Sequence, residues 1–204
     1  MSNSLLRRRR LLIYAGLGAL GIGSAAIATQ LGASKITANK PKLETRKPLT
    51  NLAQPLVTEA NLPKLPEFQG IAQWLNSPPL MTGNLVGNVV LIQFWTFSCI
   101  NCQRTLPYVT RWHEQYGAKG LKIIGVHTPE FAFERDINNI KDAMQRYRIN
   151  YTVAVDNEFK TWKAYGNEYW PHLYLADRQG NLRYDHIGEG AYDRTEKTIQ
   201  QLLG

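Results

Sequence analysis

Cys99 and Cys102 are the only cysteines in the chain, and two residues separate them. That spacing lets the two sulfurs close a small ring, so the pair can cycle between dithiol and disulfide. In such a redox centre Cys99 is the attacking thiolate and Cys102 the resolving thiol. A structural zinc site needs two further ligands, and no second Cys-x-x-Cys or spaced histidine pair exists to supply them. Haem attachment requires histidine directly after the second cysteine, where Gln103 stands. The spacing therefore favours redox chemistry over metal binding or inert thiols.

The flanking residues say how the pair is held. Asn88 to Trp95 is an apolar, β-branched run of the length of a buried strand. After the cysteines, Leu106, Val109, Trp112 and Tyr116 recur at helical spacing. The pair thus sits where a central strand turns into a helix. A helix start offers unpaired N–H groups and roughly half a positive charge, both of which favour a thiolate on Cys99.

Further elements follow in order. Ile71, Trp74 and Leu75 suggest a short helix or edge element closed by Pro78-Pro79. Leu121–His127 reads as a strand, residues 137–147 as a helix, 151–155 as a strand and 159–165 as a short helix. Residues 172–176 and 182–187 pair as a hairpin across Asp177–Asn181, and a last helix covers about 195–203. Alternating strands and helices that end in a hairpin and a helix predict an α/β sandwich with a mixed sheet. The cysteines then lie at the C-terminal end of a central strand, where open α/β sheets place their sites.

Charge divides the chain. Residues 1–66 hold ten Lys/Arg against Glu44 and Glu59, which is the whole net charge of +8, while residues 67–204 balance fourteen against fourteen. A neutral globular part with a basic front does not suggest nucleic-acid binding, which needs a basic domain. Arg7 to Arg10 precede Leu11–Ser34, 24 residues without a charged side chain. As a helix that run measures roughly 36 Å, enough to cross a hydrocarbon core of about 30 Å. Residues 1–34 are therefore read as a single-pass membrane anchor, with a cleaved signal ending near Ala26-Ile27-Ala28 as the alternative. The arginines stay cytoplasmic under either reading, and the C-terminal part lies across the membrane, in the periplasm or a lumen. Gly16-Leu17-Gly18-Ala19-Leu20-Gly21 matches a dinucleotide fingerprint, but the preceding strand that motif requires is missing. Residues 35–66, rich in lysine and proline without apolar period, read as a flexible linker, leaving 67–204 as the globular domain.

Residues 67–204 resemble the thioredoxin superfamily, specifically its TlpA-like branch near the C-terminal redox domain of DipZ-type proteins. The resemblance rests on Phe94–Pro107, on Gly125-Val126-His127-Thr128-Pro129-Glu130-Phe131, and on Ala164-Tyr165-Gly166-Asn167 with Tyr169-Trp170-Pro171. It implies a three-layer α/β/α sandwich with a mixed sheet, preceded by the N-terminal transmembrane helix read above from residues 1–34. It also implies a thiol–disulfide oxidoreductase with no cofactor beyond the Cys99–Cys102 pair. The expected partners are protein disulfides and a membrane protein that donates electrons, which makes the reductive direction the expected one. Pro171 aligns with the family's cis-proline, presenting the backbone of Trp170 to substrate, and Trp95 and Trp170 are expected to flank the cysteines as docking surface. Pro107 resembles the proline that kinks the active helix.

Two positions depart from the family. Gln93 stands where thioredoxin has a buried aspartate, and Thr105 where many TlpA-like reductases have glutamate. Glu130 is the remaining candidate for accepting the proton of Cys102. Two competing functions stay in view: a copper chaperone using the cysteines and a histidine such as His127, and a thiol peroxidase. For the peroxidase, Thr96 fits part of the expected pattern, but Ile92 replaces its proline.

Overall fold

The computed structural model describes residues 62–204; the proposed anchor and most of the proposed linker lie outside the described residues. Six strands form one mixed sheet in the order β1-β4-β3-β2-β5-β6. They are β1 (Gln73–Leu75), β2 (Val89–Trp95), β3 (Leu121–His127), β4 (Thr152–Val155), β5 (His172–Ala176) and β6 (Leu182–Ile187). β2, β3 and β4 run parallel, while β1, β5 and β6 pair antiparallel with β4, β2 and β5 respectively. Four helices accompany them: α1 (Ile100–Tyr116), α2 (Ile137–Arg146), α3 (Lys160–Ala164) and α4 (Tyr192–Leu203).

β2 is the centre, and its sequence shows why. Every residue from Val89 to Trp95 is buried. Val89, Leu91 and Trp95 join the core beneath α1, together with Ile140 and Met144 of α2 and Ile199 of α4. Val90, Ile92 and Phe94 point the other way, to Trp162 of α3 and to Leu65 and Leu85 from the N-terminal segment. A strand buried on both faces favours apolar residues on both, so its run is nearly continuous rather than alternating, broken only by Gln93. The edge strand β6 alternates half-buried and exposed residues instead.

The boundaries differ from expectation in two places. The fold begins upstream of residue 67: Pro63 accepts a hydrogen bond from Leu182 N–H, Leu65 N–H donates to Gly180, and Leu65 is buried. Prolines 63 and 66 lack donors, but one carbonyl and one amide suffice to dock this segment beside the β5–β6 turn. α4 starts at Tyr192, ahead of the expected 195, because the Tyr192 ring stacks on Tyr108 of α1 at 3.5 Å. The edge element is the three-residue strand β1, and the hairpin turn is closed by the Asp177 carboxylate, which accepts the amides of Gln179 and Asn181.

Candidate active site

The turn after β2 delivers Cys99 as the residue that caps α1. Its backbone is extended (φ −70°, ψ 113°), and its Sγ accepts the N–H of Cys102 at 3.4 Å. The Cys99 carbonyl takes the N–H of Gln103 (3.0 Å), and the Gln103 side chain donates to the Phe97 carbonyl (2.8 Å), which ties the turn to the helix. The sulfur therefore sits where unsatisfied helix donors converge. Both cysteines are free thiols, Cys99 half-buried and Cys102 fully buried.

Their ionisation is pushed in opposite directions. The Cys102 thiol donating to Cys99 is the largest influence on Cys99 and lowers it to about 6; the amides of Cys102 and Asn101 help, against burial and the charge of Glu130. Cys102 is driven far above the ordinary thiol range, first by burial, then by its hydrogen bond to Cys99 and by the charge of Cys99. At neutral pH one sulfur is a thiolate and the other holds its proton.

Opposite Cys99, the Trp170–Pro171 peptide bond is cis, and the Trp170 carbonyl oxygen lies 3.9 Å from Cys99 Sγ. Trp170 is fixed there by its indole N–H, which donates to the Thr128 carbonyl (3.1 Å), and by ring contact with Trp162 at 4.2 Å. Behind it His172 is held between Asn167 (2.6 Å) and Asp185 (3.1 Å).

Trp95 does not flank the cysteines as a docking residue. It is 0% exposed, packs edge-on to His127 at 5.1 Å, and belongs to the core beneath α1. As the last residue of a central strand it points into the helix layer, and a side chain sealed there cannot touch a partner.

Glu130 is placed differently from Trp95. It is exposed, and its charge bears on Cys99, where it opposes the thiolate; the carboxylate that bears on Cys102 is that of Glu134. Glu134 is completely buried. Its Oε1 accepts the Ser98 hydroxyl (2.6 Å) and amide (3.2 Å), and its Oε2 accepts the amides of Glu130 (2.6 Å) and Phe131 (2.8 Å). Burial alone would raise this carboxyl; the hydrogen bonds from Ser98, Thr96 and the loop amides outweigh it and hold Glu134 below the usual carboxylate range. A carboxylate so fully engaged is a poor proton acceptor and a good clamp, joining the cysteine turn to the loop after β3. The sequence carried one signal for it: a glutamate placed to cap the short 3-10 turn Ala132–Arg135.

The remaining candidates fall beneath the pair. Gln93 is fully buried and accepts the Tyr151 hydroxyl at 3.3 Å; Thr105 donates to the Asn101 carbonyl within α1. The helix continues through Pro107, whose missing N–H leaves the Gln103 carbonyl without its intrahelical donor. His127 is fully buried, meets Thr96 Oγ1 at 3.4 Å, and is lowered to about 4, chiefly by burial. Thr96 is thus turned to His127 and Glu134. Among the described residues no three His, Cys, Asp or Glu side chains converge as metal ligands.

Known proteins are similar to this chain in sequence and in fold. Over 141 residues the chain is 47% identical to Protein DipZ of Mycobacterium tuberculosis, covering 68% of this chain and 20% of that one. The chain therefore spans about a fifth of the DipZ proteins it matches. It is 29% identical over 139 residues to the thiol-disulfide oxidoreductase YkuV of Bacillus subtilis, covering 68% of this chain and 93% of that one. The solution structure of a thioredoxin-like protein in its oxidised form superposes with a TM-score of 0.64 at 29% identity, over 70% of this chain and 95% of that one. With residues 64–185 matching its family profile, and a thioredoxin-like sheet around the paired cysteines, the chain belongs to the AhpC/TSA family.

Proposed function

We propose that the protein is a thiol–disulfide oxidoreductase acting on the disulfides of other polypeptides. The observation that carries this reading is the unequal pair: a half-exposed Cys99 lowered to about 6 and a buried, protonated Cys102 in hydrogen-bond contact behind it. The Cys99 thiolate attacks one partner sulfur, the partner's S–S bond breaks, and the departing thiolate takes a proton. Once Cys99 is bonded to the partner it carries no charge, so two of the influences that hold the proton on Cys102 disappear. Cys102 then loses its proton, attacks Cys99 Sγ and releases the second partner sulfur as a thiol. Two electrons leave the protein dithiol, which becomes a disulfide, and the partner's disulfide becomes two thiols. Trp170 and Pro171 line the approach to Cys99 and position the partner's backbone. The cysteine pair is itself the redox group, and no further cofactor enters.

The reductive direction is part of the proposal. A nucleophile at about 6 stands nearer the roughly 7 of thioredoxin than the roughly 3.5 of a strong oxidant such as DsbA. The four arginines and the uncharged run of residues 11–34 support an anchored domain facing away from the cytoplasm, supplied with electrons by a membrane protein. The test is reduction of insulin by the full chain: Cys99→Ser abolishes turnover, and Cys102→Ser accumulates mixed disulfides with client proteins. Turnover in the Cys99→Ser protein equal to wild type overturns the reading. Washed membranes that hold none of the intact chain, or Cys99 labelled only from the cytoplasmic side, overturn the topology.

A further inference from the structure

Among the described residues seven large apolar side chains are exposed, and five of them gather at the end of the sheet that carries Cys99. Ile100 follows the nucleophile, and Tyr169 precedes Trp170. Ile187 pairs with His172, itself paired with Phe94 near the end of β2. Phe131 and Phe133 lie on the loop after β3, 51% and 53% exposed, with rings nearly parallel at 5.8 Å. The other two, Met81 and Val86, belong to the segment that leads into the start of β2.

The two phenylalanines are held in place. Phe133 packs against Phe97 (5.8 Å), Phe97 stacks on the buried His127 (5.6 Å), and His127 abuts Trp95 (5.1 Å), so the rings step outward from the core. The Phe131 amide is gripped by Glu134, which also holds Ser98, so the shelf and the nucleophile's turn share one anchor. Rings fixed in this way take up a partner with little further ordering entropy. The charge around them is negative. Glu130 bears on Cys99, Glu168 is exposed beside Tyr169, Arg104 is tied to Glu189 (3.0 Å), and Arg135 turns away to the Asn157 carbonyl. A small acidic disulfide meets repulsion here, whereas an apolar segment with neutral or basic flanks does not.

We propose that this surface selects polypeptide disulfides in which the attacked cysteine stands beside an aromatic or aliphatic side chain without acidic neighbours, Phe131 and Phe133 receiving that side chain. The proposal rests on the oxidoreductase reading above and names its substrate class. The step is the exchange already written, with the reduced cysteine pair as the electron source.

The test uses the reduced full chain in single turnover against three short peptides, each carrying one cysteine as its neutral 2-pyridyl mixed disulfide. The first has Phe and Leu beside the cysteine and Lys at its ends; the second replaces Phe and Leu by Ser; the third replaces Lys by Glu. The first is expected to react about tenfold or more faster than the second, and faster than the third by a margin that shrinks with added salt. With F131S and F133S combined, the advantage over the Ser peptide is expected to fall below about threefold. Equal rates for the first two peptides in the wild type, or a preference that survives the double substitution, overturn the proposal. A wild-type dimer that the double substitution disperses also overturns it, assigning the shelf to a second copy. Hydroxyethyl disulfide, small and neutral, is the control: no reaction with it overturns the oxidoreductase reading, while reaction with it but no peptide preference overturns this proposal alone.

Discussion

Replacing Cys102 by alanine tests the electrostatics on which the chemistry depends. The largest influence lowering Cys99 to about 6 is the hydrogen bond donated by the Cys102 thiol. Hydrogen bonds to charged groups contribute about 1.5–3 kcal/mol, and one pKa unit is about 1.4 kcal/mol. Removing the donor should therefore raise the Cys99 midpoint by about 1–2 units, to about 7–8. The amides of Cys102 and Asn101 remain as stabilisers, so the value stops short of a free thiol. At pH 6 the thiolate fraction then falls about 5- to 50-fold. The assay is the thiolate's ultraviolet absorbance as a function of pH in the reduced protein, which counts thiolate directly. Alkylation rates are less diagnostic, because a thiolate of higher pKa is intrinsically more nucleophilic and partly masks the loss. Cys102→Ser keeps a hydroxyl donor and should shift the midpoint less than Cys102→Ala. A wild-type midpoint above 8, or one that Cys102→Ala leaves in place, would refute the reasoning, because the thiol could not then be what stabilises its neighbour.

Three further outcomes follow from the layer beneath the pair. Gly125→Ala would bring a Cβ to 2.9 Å from Trp95 Nε1 and 3.1 Å from Tyr151 Cε2, both in the core, and should destabilise the fold by about 1–3 kcal/mol in urea titration; a loss under about 0.5 kcal/mol contradicts the packing described. Glu134→Gln turns an amide NH2 toward donors that a carboxylate satisfied, at about 1–3 kcal/mol for each buried donor left unpaired, and an unchanged urea midpoint would show that the clamp is dispensable. His127 gives a pH dependence. Its folded value, about 4, lies below the ordinary 6.5, so between those values the unfolded chain binds the extra proton. Stability is full above 6.5 and is lost as pH falls toward 4, by roughly 3 kcal/mol in all; His127→Gln should flatten that slope, and a slope that persists assigns the acid sensitivity elsewhere.

Much of this was legible in the sequence, for reasons that also explain what was not. The central strand declared itself because burial on both faces makes β2 apolar at every position but Gln93, and α1 because one face of a helix must be apolar at 3.6-residue spacing. The cysteine turn followed from the junction of those two patterns, and Pro171 from its motif. Segments fixed by a few tertiary contacts gave no period: the Pro63–Leu65 docking segment looked like linker, and the first turn of α4 carries one ring stack. Trp95 misled because an aromatic beside a reactive cysteine reads equally as docking surface or core, and the pleat alone decides which side it takes.

Glu130 and Glu134 show the same limit at the level of chemistry. Three residues separate two carboxylates of one type on one loop, yet one is solvated and the other is completely buried with both oxygens engaged. A buried carboxylate is stable only when donors are brought to it, and those donors come from Ser98, 36 positions away, as well as from its own loop. The identity of the buried acid is therefore a property of how the β3 loop meets the cysteine turn, not of the loop's composition. The same contact sets Phe131 and Phe133 beside the nucleophile. It follows that substitutions at Glu134 should disturb client preference as well as stability, whereas substitutions at the solvated Glu130 should act on the ionisation of Cys99 and on the discrimination against acidic clients, and leave stability in place.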